Sequence, residues 1–158
     1  MNIFVLDDDI RQCARAHCDK HVVKMILEYT QILCTVCNLR GTKTPYRSTH
    51  QNHPCVQWAN FSKQNWLWLK KLTRALNTEY RYRYHRNKNH AAAIVAQKLS
   101  APKDLPACGL TEFPQVMPST FRVKHNSVLA YRSYYLGMKH SFATWTRRRP
   151  PSWWVTLR

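Results

Sequence analysis

The stretch Ala16 to Tyr29, AHCDKHVVKMILEY, restricts the fold of this chain more than any other. At about 100° per residue, Val22, Met25, Ile26, Tyr29 and, one turn on, Leu33 line one side of a helix. His17, His21, Lys24 and Glu28 fall in a narrow arc on another side. Side chains three and four residues apart meet on a helix surface, so His21 reaches toward Lys24 and Lys24 toward Glu28. The expectation is a helix with one packing face and one face bearing two imidazoles, an amine and a carboxylate. Such a row transfers protons, binds phosphate or forms a Schiff base. A solvated polar face is the competing reading, and a second histidine pair further along the chain favours the chemical one.

The rest of the pattern is also helical. Met1 to Leu6 reads as an extended apolar start, and Asp7, Asp8 and Asp9 supply an N-cap and a negative first turn. Helical periodicity then runs from about Ile10 to Leu39, with a break allowed near Cys18 and Asp19, and Gly41 is the stop signal. Thr42 to Pro54 is a polar loop, TKTPYRSTHQNHP, that presents His50 and His53 before Pro54 opens the next helix. A second long helix is expected over Cys55 to Arg86, where Glu79 and Arg83 either satisfy each other or line the site. A short helix over Ala91 to Leu99, a proline-rich strap from Ser100 to Thr120 and a last helix from Asn126 or Ser127 to Trp145 complete the reading. The expected fold class is all-α: one compact domain spanning residues 1–158, with three to four helices, the strap and a basic, aromatic C-terminal tail.

Charge narrows the partners. Lys and Arg number 25 against 8 acidic residues, a net charge of +17 that exceeds what solubility requires and points to a polyanion. Nucleic acid is expected, with double-stranded DNA first, and no membrane, because the basic residues are spread over Trp- and Tyr-rich helices and do not flank an amphipathic anchor. The segment RYRYHRNKNH interleaves Arg81, Arg83, Arg86 and Lys88 with tyrosines, and the tail sets Arg147, Arg148 and Arg149 beside Trp153 and Trp154. Both pair phosphate contacts with faces for stacking. His50 and His53 are assigned to a phosphate or base edge, since H-x-x-H lacks further ligands at zinc spacing and no metal is expected.

Other classes are excluded. With Gly41, Gly109 and Gly137 as its only glycines, the chain has no phosphate-cradling loop, dinucleotide fingerprint or nucleophile elbow, and no cofactor is implied. No run of about 18 apolar residues and no signal-peptide pattern is present, so a soluble, intracellular protein with reduced cysteines is expected. Cys34 and Cys37 form C-x-x-C inside an apolar helical run and read as core residues.

The segments His17 to Glu28, Thr49 to Trp58, Glu79 to Tyr84, Phe113 to Pro118 and Pro151 to Trp154 resemble the motifs HCDKHVVKMILE, THxNHPCxxW, ExYxxRY, FPQxMP and PxWW of a group of small phage and viral proteins. More remotely the chain is similar to the phage pyrimidine-dimer DNA glycosylase/AP lyase family, the endonuclease V type. That family is short, basic and all-α, with a carboxylate on the first long helix. The resemblance implies an α-amine nucleophile, here that of Met1, with Lys24 and Lys20 as alternatives, and gives the carboxylate role to Glu28.

The expected activity is therefore that of a DNA glycosylase/AP lyase, in which an amine attacks C1′ of a modified or damaged nucleotide. Glu28 stabilises the cationic sugar, and His17 and His21 serve as acid/base or phosphate ligands. Two readings stand beside it: a non-enzymatic nucleic-acid-binding protein, and an RNA-modifying or RNA-cleaving enzyme that uses the histidine pair.

Overall fold

The computed structural model describes residues 1–154. Among these residues six α-helices follow one another: α1 (Ile10–Ala16), α2 (Asp19–Leu39), α3 (Pro54–Phe61), α4 (Lys63–Arg83), α5 (Ala91–Lys98) and α6 (Ser127–Met138), with a 3₁₀ turn at Ser119–Phe121. No strand occurs among the described residues, so the class is all-α as expected, with more and shorter helices than the periodicity implied.

The elements start and stop for local reasons. Asp9 caps α1 by accepting the Gln12 amide at 2.8 Å, and Asn126 caps α6 through the Leu129 amide. Gly41, at φ +79°, turns the chain out of α2 in a left-handed conformation that other residues adopt only under strain. The expected single helix over Cys55 to Arg86 is divided at Ser62. Its hydroxyl caps α4 through the Gln64 amide and donates to the Gly109 carbonyl of the strap, which holds the residue extended. The last helix ends at Met138 instead of Trp145. Beyond it the backbone must reach α2, where Thr144 accepts the Asp19 amide at 2.8 Å.

Helix α2 is the centre of the bundle and packs against α3, α4 and α5. Val22, Met25, Ile26, Tyr29 and Leu33 are all buried, as the stripe required, and so are Cys34 and Cys37. Among the described helices, only α2 combines the length and hydropathy of a membrane span, and most of it is enclosed by its neighbours. The strap is fastened to the body by Asn65, which exchanges hydrogen bonds with Thr111, and by Phe113, whose ring lies 4.5 Å from Trp68 and 5.1 Å from Trp58.

The N-terminal segment is the least regular part of the core. Ile3, Phe4, Val5 and Leu6 are all buried, with no alternation between a wet and a dry side. A buried extended backbone must find partners outside any ladder, and here side chains provide them. Tyr29 Oη accepts the Phe4 amide at 3.1 Å, Cys13 Sγ accepts the Leu6 amide and donates to the Phe4 carbonyl, and Arg132 donates to the Leu6 carbonyl at 2.8 Å.

Two expected site residues are consumed by this arrangement. His17 lies at the end of α1, not on α2, and is fully buried. Its Nδ1 donates to the Cys13 carbonyl at 2.7 Å and its Nε2 accepts from Tyr29 Oη at 3.2 Å, so the ring is wired as the neutral tautomer. His21 is also buried, hydrogen-bonded to Tyr135 Oη and stacked on Phe4 at 4.5 Å. The expectation that both imidazoles share an open face with Lys24 and Glu28 is corrected. The extended His17 and Cys18 between the two helices put α1 out of register with α2, and Tyr135 of α6 covers His21.

Arg83 is corrected in the same way. Expected on a nucleic-acid surface, it is fully buried and donates to Glu79 at 3.1 Å, to Asp19 at 3.0 Å and to the His17 and Arg15 carbonyls at 2.8 Å. Glu79 also takes Arg148 at 2.7 Å. Burial pulls the Asp19 carboxyl upward, but hydrogen bonds from Thr146, Arg83 and Thr144 outweigh it and hold the group below its usual range. Removing one member of a buried ion network leaves the others uncompensated, so Arg83→Met should cost about 3–5 kcal/mol in chemical denaturation. A loss below about 1 kcal/mol, the scale of an exposed pair, would show that the network contributes no more than a surface contact.

The buried imidazoles give a second expectation. Burial lowers His17 to about 4, and burial together with the charges of His17, Lys139 and Lys24 lowers His21 to about 3. In the unfolded chain both titrate near 6.5. Between these values the unfolded state binds protons that the folded state refuses. Stability is therefore complete above about pH 6.5 and declines as pH falls toward 4, with His17 alone contributing roughly 3 kcal/mol. Urea midpoints at pH 7 and pH 4.5 measure this, and equal midpoints would show that the rings accept protons in place.

Candidate active site at the N-terminus

Because residues 2–6 are held in the core, the start of the chain has a defined address. Asn2 is buried, donates to the Val116 carbonyl at 2.8 Å, and receives both the Tyr131 hydroxyl at 2.7 Å and the Ile3 amide. Met1 therefore emerges beside the middle of α2. Its α-amine lies 3.9 Å from Oε2 of Glu28, with the Met1 side chain 5 % and the Glu28 side chain 14 % exposed. The second carboxylate oxygen, Oε1, faces Nζ of Lys24 at 3.2 Å. One carboxylate thus sits between two amines.

The amines differ in mobility. The side chain of Lys24 is 65 % exposed on the open side of α2, at the end of a four-carbon stem. The Met1 amine hangs from a backbone whose next residues are buried and hydrogen-bonded. An amine fixed within 4 Å of a carboxylate can attack an electrophilic carbon, while the carboxylate takes up the proton and balances the cation that results.

The histidine loop lies on the same side of α2 as far as its charges are felt: His53 interacts electrostatically with the amine and with Glu28. His53 caps α3, its Nδ1 accepting the Cys55 amide at 3.1 Å, and the α-amine, His50 and Glu28 lie within electrostatic reach of its ring. Burial first, and then the charged amine and His50, lowers His53 from its ordinary value. His50 is exposed and adopts a left-handed conformation at φ +47°, uncommon for a residue with a side chain. Met1, Lys24 and Glu28 are thus gathered in one place, with His53 within electrostatic reach of the amine and of Glu28, and His17 and His21 are buried in the core. The proximity of Met1 to Glu28 carries no signal in the order of residues along the chain.

The other expected binding residues are dispersed. Arg81, Arg86, Lys88, Arg147 and Arg149 are exposed. The Arg147 guanidinium lies 4.6 Å from the centre of the Tyr82 ring, and Arg148 is engaged with Glu79. Arg148, Arg149 and Trp153 help line a cleft of about 440 Å³ that also takes Arg15 and Arg132. Neither tryptophan is a free wedge. Trp153 packs on Tyr135 under Arg132, and Trp154 lies against His140 and Trp145, each at 4.8 Å, so both are corrected to half-buried parts of the body.

No curated protein and no solved structure matches the chain. The profile of the family described as pyrimidine dimer DNA glycosylase matches residues 1–92, more than half of the 158 residues, and that span contains Met1, Lys24, Glu28 and the histidine loop. The chain belongs to the pyrimidine dimer DNA glycosylase family, and its function is of the DNA-glycosylase type, with DNA as substrate.

Proposed function

We propose that the protein is a DNA glycosylase and AP lyase acting on damaged double-stranded DNA, with the α-amine of Met1 as nucleophile and Glu28 as its carboxylate partner. The observation that carries this reading is the 3.9 Å approach of the Met1 amine to Glu28, both on rigid supports. The amine nitrogen bonds to C1′ of the target nucleotide as the bond from C1′ to the base breaks, and the base leaves with the electron pair and takes a proton. Opening of the sugar ring converts the adduct into an iminium ion, and loss of a C2′ proton then expels the 3′ phosphate by β-elimination. Water hydrolyses the imine and restores the amine. Glu28 offers one oxygen to the cation at C1′ and accepts the proton that the amine releases, a role suited to its position between two amines.

Lys24 supports the phosphate side of this site as an exposed cation, and the net charge of +17 supplies the sequence-independent part of DNA affinity. The alternative of an RNA enzyme with a histidine pair gains no support, because its acid and base would be His17 and His21, both buried and hydrogen-bonded within the core.

Borohydride reduction on a duplex containing an abasic site or a pyrimidine dimer tests the reading. The expected result is a covalent adduct that maps to the tryptic peptide of residues 1–11. That peptide contains no lysine, so DNA attached to it identifies the α-amine. Lys24→Arg should retain the adduct, since arginine keeps the charge but forms no imine. Glu28→Gln should preserve DNA affinity and reduce turnover by at least about a hundredfold. An adduct on the peptide carrying Lys20 or Lys24 would transfer the nucleophile to that residue, and no adduct on any abasic or damaged duplex would end the proposal.

A further inference from the structure

Three clefts along the outer side of α4 share their walls. The first, of about 560 Å³, lies between α4 and α5 and is lined by Lys70, Lys71 and Arg74 with no acidic residue. Lys71 and Arg74 also line the second, of about 700 Å³, which lies between α4 and α1 and adds Arg11, Arg15 and Arg148. Arg15 and Arg148 belong in turn to the cleft of about 440 Å³ that ends at Arg132, Arg149 and Trp153. The shared cations join the three into one groove. Its acids are already engaged: Asp9 caps α1, Glu79 pairs with the buried Arg83 and with Arg148, and Asp7 pairs with Arg132. Arg11, Lys71 and Arg74 are exposed and form no ion pair among the described residues.

A surplus of positive charge along a groove matches a polyanion, and its length and lining narrow the choice. From Leu67 to Thr78 the wall formed by α4 spans about 17 Å at 1.5 Å per residue, room for about five phosphates of one duplex strand. Single strands are held on aromatic platforms where bases stack. Among the described residues no aromatic side chain lines the first two clefts, and Trp153 at the end of the third packs on Tyr135. Cations without stacking faces suit the backbone of a duplex.

The groove does not face the amine. On α4, Leu67, Lys71, Arg74 and Thr78 lie on the side opposite Leu69, Leu72 and Leu76, which are fully buried. On α2, Lys24 and Glu28 lie on the side opposite the buried Val22, Ile26 and Leu33. Because α2 and α4 pack against each other, two helix diameters, roughly 20 Å, separate groove and site. DNA is stiff over about 150 base pairs, so one duplex does not turn back around the bundle to reach both faces. We propose that the groove along α4 binds the backbone of a second DNA duplex segment, separate from the one presented to Met1 and Glu28. The surface stands apart from the amine mechanism, since none of its cations contacts Met1, Lys24 or Glu28.

A bridging experiment tests this. A biotinylated abasic duplex is immobilised, loaded with the full-length protein, washed, and offered a plain fluorescent duplex. The wild type should capture the second duplex. The triple variant Arg11→Gln, Lys71→Gln, Arg74→Gln removes exposed cations and keeps good helix formers. It should lower capture by at least about tenfold and reduce the slope of log K for the second duplex against log salt by up to about three. Its melting temperature, its affinity for the first duplex and its borohydride trapping there should be unchanged. The pair Lys71→Gln, Arg74→Gln is the second variant should the triple one not fold. No capture by the wild type, or equal capture by the variant, overturns the proposal; light scattering then shows whether a dimer of the chain does the bridging. Preferential capture of a fluorescent single strand overturns the duplex assignment. Loss of first-duplex affinity and trapping in the variant would place groove and site on one DNA and likewise overturn it. If the wild type forms no adduct, the amine mechanism falls, and capture of the second duplex still decides the groove.

Discussion

The structure depends on burying an extended backbone inside a bundle of helices. Residues 3–6 have no ladder partners, yet each sits out of water, and an unpaired peptide group in that setting costs as much as a lost hydrogen bond. Tyr29, Cys13 and Arg132 meet this demand. Tyr29 can accept from Phe4 because it donates to His17, and His17 can accept because its other nitrogen donates to Cys13. A chain of neutral donors and acceptors thus links the first residues to α1 and α2. Its far end is the Met1 amine, presented to Glu28 with little freedom to leave.

The part of the chain outside the matched span serves the part within it. Val116 and Tyr131 hold Asn2, Arg132 holds Leu6, and Tyr135 holds His21. Thr144, Thr146 and Arg148 reach back to Asp19 and Glu79, where Arg83 sits as the buried cation between two carboxylates. The strap, α6 and the basic tail therefore form a frame around the N-terminal site. Their arginines divide into two populations: Arg148 and Arg132 spend their charge on internal carboxylates, whereas Arg147 and Arg149 remain exposed.

Much of this frame was legible in the residues, and the errors have specific causes. The projection that placed His17 beside Lys24 assumed one continuous helix, whereas Asp19 gathers Thr144, Thr146 and Arg83 at a break and starts α2 afresh. Ser62 was passed over as a cap because the apolar pattern continues on both sides of it. Trp153 and Trp154 looked available for stacking on bases because a sequence shows aromatic rings but not the Tyr135, Trp145 and His140 rings that meet them.

By itself the sequence determined the all-α class, the buried stripe of α2, a cap among Asp7 to Asp9 and another at Asn126 or Ser127, the stop at Gly41 and the strongly cationic composition. Each of these follows from interactions within a turn or two of the chain, or from composition, which requires no knowledge of neighbours. The resemblance to a glycosylase family gave the carboxylate role to Glu28 and left the amine open among Met1, Lys24 and Lys20. Only the tertiary structure brought the Met1 amine to 3.9 Å from Glu28, enclosed His17 and His21, and spent Arg83 on Asp19 and Glu79. Those outcomes depend on which elements pack together and on how a buried polar group finds a partner, and both are settled by contacts between residues far apart in the chain.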